Sequence, residues 1–139
     1  MLSQKCQYAL RAVLELARHH RQGPVRAGEI ARAAAIPSRF LEVILNELRQ
    51  AGFIESRRGS EGGYLLQQSP SRLTVGAVIR FFEGSLAPVA CMNEIPASVF
   101  LSLWERVHKA VSDIYDGTTF QDLLDQECRM RSDVLSYAI

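Results

Sequence analysis

Between Ser3 and about His20, the apolar positions Tyr8, Ala12, Val13, Leu16 and Ala17 recur at the spacing of one helical face, with Ser3 placed to cap the first turn. Gln22-Gly23-Pro24 ends that helix, because glycine stops helices readily and proline cannot continue one. Val25 reads as a short edge strand. A second, short helix is expected from about Ala27 to Ala34, with Ile30, Ala31 and Ala34 inward. Arg26 stands where a Ser or Thr cap would serve better. After a tight Ala35-Ile36 turn, Pro37 opens a third helix, as proline is tolerated in a first turn. Its apolar face is Leu41, Ile44, Leu45 and Leu48, and Gly52 closes it. Two helices joined by so short a turn read as a helix-turn-helix.

The period then changes from helical to alternating. Phe53-Ile54-Glu55-Ser56 reads as a half-buried strand, residues 57–63 as a glycine-rich turn, and Tyr64-Leu65-Leu66 as the returning strand. Such a hairpin directly after a helix-turn-helix is a wing. Pro70 marks a hinge, and Thr74 caps a helix through Val75, Val78, Ile79 and Phe82 that Gly84 ends. Residues 84–96 carry two prolines and no period, so they read as a loop. A long helix follows from Ala97 to about Tyr115. Thr118 and Gln121 have capping-box spacing for a last helix carrying Phe120, Leu123 and Leu124, while Cys128 to Ile139 is weakly specified.

The expected fold class is therefore mainly α with a small β-hairpin wing: a winged helix-turn-helix plus a long C-terminal dimerisation helix. Three segments are read: 1–68, the winged helix-turn-helix; 69–96, a linking helix and sensor loop; 97–139, the dimerisation helix and C-terminal helix. At 139 residues and 47% apolar, the chain can build a core without metal or disulfide staples. No apolar run suits a membrane span and the first residues lack a signal-peptide pattern, so a cytoplasmic protein with no membrane partner is expected.

The formal charge of +1 hides an asymmetry. Residues 1–67 hold ten Lys/Arg against six Glu, a net +4, and residues 68–139 hold six against nine acidic groups, a net −3. A basic first half suits a polyanion. A helix fits the major groove and reads base edges from its N-terminal residues, here Ser38, Arg39, Phe40 and Glu42. Arg39 suits phosphate or guanine and Glu42 suits a cytosine amine. Phe40 suits a thymine methyl or the protein itself. In the wing, Arg57 and Arg58 suit phosphate or the minor groove, with Gly59, Gly62 and Gly63 letting the backbone approach the duplex. On the long helix, Leu101, Trp104, Val107, His108, Val111 and Ile114 form an apolar strip that can bury against a symmetry mate or against the chain's own first domain.

No nucleophile elbow, HExxH or paired catalytic carboxylates occur, and the glycine-rich turn joins two strands instead of opening a helix; an enzyme is not expected. Three cysteines, Cys6, Cys91 and Cys128, are too few and too scattered for a disulfide framework or a paired zinc site. His19 and His20 read as surface residues at a helix C-terminus.

The start MLSQKCQYALRAVLELA, the segment IPSRFLEVILNELRQAGFIESRRGSEGGYLL and the later LTVGAVIRFFEG, LAPV and LW resemble the Rrf2 family of bacterial regulators, which includes IscR, NsrR and CymR. The resemblance runs to about Leu124. It implies a homodimeric transcription regulator, by family habit a repressor, acting on a palindromic operator in double-stranded DNA. It also implies that Arg39, Phe40 and Glu42 and the wing Arg58 meet that DNA. Serine or threonine and tyrosine are common in the family where this chain has Arg39 and Phe40. Many members ligate an iron–sulfur cluster through three cysteines in the loop before the long helix. This chain has Cys91 there and no other cysteine up to Leu103, so no cofactor and no metal are expected. Two alternatives stay open: Cys6 and Cys91 approaching across a dimer as a redox sensor, and regulation mainly through a protein partner, a metabolic enzyme, docking on the loop 84–96 and the acidic half.

Overall fold

A computed structural model describes residues 2–90 and 92–138, with side chains as far as Leu135. Six α-helices and one two-stranded antiparallel sheet follow in the order α1 (Gln4–Arg18), α2 (Ala27–Ala34), α3 (Ser38–Gln50), β1 (Ile54–Arg57), β2 (Gly63–Leu66), α4 (Val75–Glu83), α5 (Val99–Asp116) and α6 (Phe120–Ala138). A 3-10 turn, Met92–Glu94, interrupts the loop before α5.

Helix α1 is the central element, packed against α2, α3, α4, α6 and β2. Its buried face, Cys6, Ala9, Ala12, Val13, Leu16 and Ala17, is mostly small, which lets the other helices approach closely. Ser3 caps it as expected, its hydroxyl accepting from the Cys6 amide at 3.1 Å. On α3, Leu41, Ile44, Leu45 and Leu48 are almost wholly buried, each worth about 1.5–3 kcal/mol of burial free energy.

The turn between α2 and α3 is a Schellman ending. Ile36 donates to the Ala31 carbonyl at 2.9 Å and Ala35 to that of Arg32 at 3.4 Å, with Ala35 left-handed at φ 55°, ψ 52°. A position that favours glycine is thus held by alanine. Pro37 falls just outside α3, at its N-cap, one residue earlier than a first-turn position.

In the hairpin, Ile54 pairs with Leu66 and Arg57 with Gly63. Val25 adds a third, single-bridge rung: its amide and carbonyl exchange bonds of 2.8 Å with Tyr64. A second bridge, Thr74 to Thr119, ties the start of α4 to the start of α6, with Val75 donating to Thr118 and Phe120 to Leu73. Phe120, fully buried, pins α6 into the core.

One expectation about the C-terminal part needs correction. The capping pair of α6 is Thr119 and Asp122, one residue beyond Thr118 and Gln121: each side chain accepts from the other's amide, at 2.9 and 3.0 Å. Thr118 instead donates its hydroxyl to the Ile114 carbonyl. The segment from Cys128, weakly specified in the sequence, is helical as far as Ala138, the end of α6.

Candidate nucleic-acid interface

The start of α3 stands clear of the core. Ser38, Arg39, Phe40 and Glu42 are all exposed, while Leu41 between them is buried and anchors the turn. Phe40 is 45% exposed, and its ring stacks on Tyr8 of α1 with centroids 6.3 Å apart and planes 29° apart. It therefore combines the two uses the sequence offered, part protein-facing and part free. The Arg39 guanidinium lies 4.9 Å from the centre of the Phe40 ring.

Arg57, at the end of β1, and Arg58 after it are both exposed. Arg57 is engaged by Glu55 on its own strand at 3.3 Å, whereas Arg58 makes no ion pair with a described residue. The wing glycines have distinct roles within the hairpin. Gly59, exposed with φ 109°, makes the turn. Gly62 is buried, and a Cβ there would come well within 3.0 Å of the Arg57 carbonyl. At Gly63, with φ 149°, a Cβ would strike the Val25 backbone. Gly62 and Gly63 thus also have a steric role within the wing's own chain, beside their expected place at the approach to a duplex.

Sequence reasoning passed over Arg26. Its guanidinium donates to the Ser60 carbonyl in the wing turn and ties the start of α2 to the wing. The signal was present as an arginine where a capping residue would serve better. Tyr8 was read only as helix face, and its stack on Phe40 crosses between helices that no local pattern connects.

The long helix carries two apolar faces where the sequence suggested one. Leu101 and His108, with Glu105, line a recess of about 730 Å³ beneath the chain's own loop, together with Val89, Met92 and Ile95. These two residues of the expected strip face the chain's own loop. A different seam, Phe100, Leu103, Val107, Ala110 and Ile114, stands exposed at alternating three- and four-residue steps, the spacing of a coiled-coil face. Trp104 and Val111 are half-buried at its edge, the Trp104 ring stacked on Phe100 at 6.3 Å.

Cys6 is completely buried, and burial, with the Glu83 carboxylate beside it, pushes its thiol up to about 11. A thiol so held stays largely protonated near neutral pH, which disfavours thiolate chemistry at Cys6 in this conformation. Cys91, the other half of that reading, lies outside the described residues. Glu83 is fixed by Ser3, whose hydroxyl and amide donate to it at 2.5 and 2.8 Å and hold the carboxylate below its ordinary range. Among the described residues no three His, Cys, Asp or Glu side chains converge as metal ligands, and no helix is long and apolar enough to cross a membrane.

A short helix, a tight turn, an exposed second helix start and a basic hairpin held beside it define a winged helix-turn-helix DNA-binding protein. Comparison with known proteins makes this specific. The model of the Rrf2 family, described as iron-dependent transcriptional regulators, matches residues 2–126. The regulator CymR of Bacillus subtilis is 38% identical over 123 residues, 88% of either chain. IscR of Aliivibrio salmonicida is 31% identical over 138 residues, 95% of this chain and 82% of that one. The solved structure of CymR, titled the global cysteine regulator of B. subtilis, superposes with a TM-score of 0.83 at 35% identity, covering 91% of this chain and 97% of its own. The chain belongs to the Rrf2 family: it is a DNA-binding transcriptional regulator, not an enzyme. Among the described residues, the iron in the family's description finds no clustered donor set. Of the three cysteines, Cys6 is sealed in the core and Cys128 sits exposed on α6, far along the chain from the loop.

Proposed function

We propose that the chain acts as a homodimer that reads an imperfectly palindromic operator and represses transcription from it, in the bacterial cytoplasm. The observation that carries this reading is the pairing of two exposed features on one chain. A recognition-helix start flanked by Arg39 and Arg58 supplies the DNA surface, and the α5 seam through Phe100, Leu103, Val107 and Ile114 supplies a face for a second copy. Apolar rows of this kind are stable in water only when covered, and a two-fold partner covers both copies at once. Two-fold symmetry then sets two recognition helices about one helical turn of DNA, or a multiple, apart. Met130, Val134 and Leu135 on α6 are further exposed apolar residues.

Arg39 and Glu42 are assigned to base edges, Ser38 to phosphate, and Arg57 and Arg58 to phosphate or the minor groove. Selection of genomic fragments by the purified protein, followed by sequencing and with Arg58→Ala as control, tests the reading. Enrichment of an inverted repeat upstream of genes supports it, and purified protein at the promoter should then lower transcription in vitro. Fragments enriched no better than by the variant, at low salt where phosphate contacts are strongest, count against it. Sedimentation of the unliganded protein as a monomer at micromolar concentration removes the dimer.

A further inference from the structure

From α1 to the recognition helix, four side chains form a continuous ladder. The Arg11 guanidinium lies 4.9 Å from the centre of the Tyr8 ring, Tyr8 stacks on Phe40 at 6.3 Å, and the Arg39 guanidinium lies 4.9 Å from the centre of the Phe40 ring. The ladder is fastened at two further points. Arg11 also donates to the Ala35 carbonyl in its turn at 3.3 Å, and Gln4 donates to the Tyr8 hydroxyl at 2.9 Å. Neither arginine makes an ion pair with a described residue.

We infer that Tyr8 is a positioning residue for sequence specificity: through Phe40 it holds the Arg39 guanidinium for a guanine edge in the major groove. This rests on the DNA-binding reading above. A guanidinium laid on an aromatic face keeps the N–H donors around its edge free, so stacking and hydrogen bonding are compatible. Guanine offers two acceptors, O6 and N7, that match two parallel N–H groups. A phosphate would accept the same charge from a freely moving arginine and would gain little from a fixed one. What fixes the arginine is the platform beneath it. Phe40 is nearly half exposed, and an apolar recess of about 230 Å³, bounded by Gln4, Lys5, Tyr8, Phe40, Val43 and Ile44, lies between the helices beside it. With Tyr8 removed, Phe40 has room to swing inward and carry Arg39 off its position.

The test selects a duplex library with a randomised core, using wild type, Tyr8→Phe, Tyr8→Leu and Arg39→Lys, with a thermal melt of each protein. Wild type and Tyr8→Phe should enrich one motif with a guanine at matching positions in its two halves. Arg39→Lys should lose that preference. Tyr8→Leu should weaken it by about three- to tenfold while leaving the other positions intact, since only the orientation of the reader is affected. An unchanged motif in a Tyr8→Leu protein that melts like wild type overturns the inference, as does a loss of affinity spread equally over all sequences. If Tyr8→Leu is poorly folded, Arg11→Gln takes its place, with the same partial loss at the guanine supporting the inference and an unchanged motif overturning it. A wild-type protein that enriches no motif overturns instead the DNA-binding reading on which the inference stands.

Discussion

Two adjacent arginines in the wing should contribute unequally to DNA binding. Arg57 lies 3.3 Å from the Glu55 carboxylate on the same strand, so contact with DNA requires it to leave or share that partner. An exposed pair of this kind is worth roughly 0–1 kcal/mol, which is deducted from what Arg57 gains at the duplex. Arg58, exposed and without a described ion-pair partner, has no such deduction. A specific arginine contact contributes about 1–3 kcal/mol, so Arg58→Ala should weaken binding by about 5- to 150-fold, and Arg57→Ala by less. Glu55→Gln releases Arg57 and removes a like charge facing the phosphates; it should strengthen binding by up to about fivefold.

Fluorescence anisotropy with a labelled duplex bearing the selected operator, titrated at several salt concentrations, measures all three variants. If Arg58 meets a phosphate, its loss should also flatten the slope of log K against log salt by about 0.9 for that contact. Arg58→Ala binding within twofold of wild type across the salt range would refute the assignment. A larger loss for Arg57→Ala than for Arg58→Ala would refute the argument from Glu55 even if both arginines bind DNA.

Gly62→Ala drives a methyl group into the Arg57 carbonyl and should cost the wing its hairpin register; operator affinity should fall while α-helical circular dichroism holds, and unchanged affinity would mean the turn re-forms freely. Cys6, with its thiol raised from 9.0 to about 11, should resist alkylation at pH 8 in the folded protein while Cys128 reacts, as peptide mass mapping would show. The same shift means the folded state holds the Cys6 proton more tightly than the unfolded chain. Its effect on stability is absent below pH 9 and destabilising as pH rises from 9 towards 11, a loss that Cys6→Ala should lessen in alkaline denaturation curves. Ala35→Gly relieves a left-handed alanine and should raise stability by up to about 1 kcal/mol in urea unfolding; a loss of stability would show that the turn's strain is relieved elsewhere. Val107→Glu places a charge in the middle of the α5 seam and should shift sedimentation from dimer to monomer, and a dimer that persists would move the interface off that seam.

What could be read from the sequence was the part fixed by local periodicity. Helix α3 announces itself because Leu41, Ile44, Leu45 and Leu48 share one face and everything between them is polar or at the surface. The hairpin is equally plain, since its period and its glycines change together. The C-terminal segment was opaque for the opposite reason: beyond Cys128 the apolar Met130, Val134 and Leu135 are interleaved with charges and all exposed, so no buried face marks the helix that forms there. The α5 strip is divided between two surroundings. Leu101, Trp104 and His108 do fall on one side, but a loop folding back over Leu101 and His108 shifts the exposed seam to Phe100, Leu103 and Val107. Helical spacing fixes which residues share a face and says nothing about what covers it. Gly62 and the Tyr8–Phe40 stack were hidden by sheer distance in the chain or by a steric fit that only three dimensions define.

Helix α1 connects these separate features mechanically. Near its start, Ser3 holds Glu83 at the end of α4, immediately before the loop that leads to α5. In its middle, Tyr8 and Arg11 support the recognition helix and its turn. At its end, Arg18 pairs with both Glu127 of α6 and the buried Glu15, which His19 also meets at 3.0 Å. A helix with a core of alanine, valine and leucine is stiff along its axis, and its packing admits few alternative positions. Any displacement of the loop, α5 or α6 that pulls on Glu83 or Glu127 therefore acts on the same rigid body that carries Tyr8. From its C-terminal half to its DNA-reading surface, the chain thus has a continuous set of contacts through α1. Those contacts sit at the two ends of α1 and at its middle.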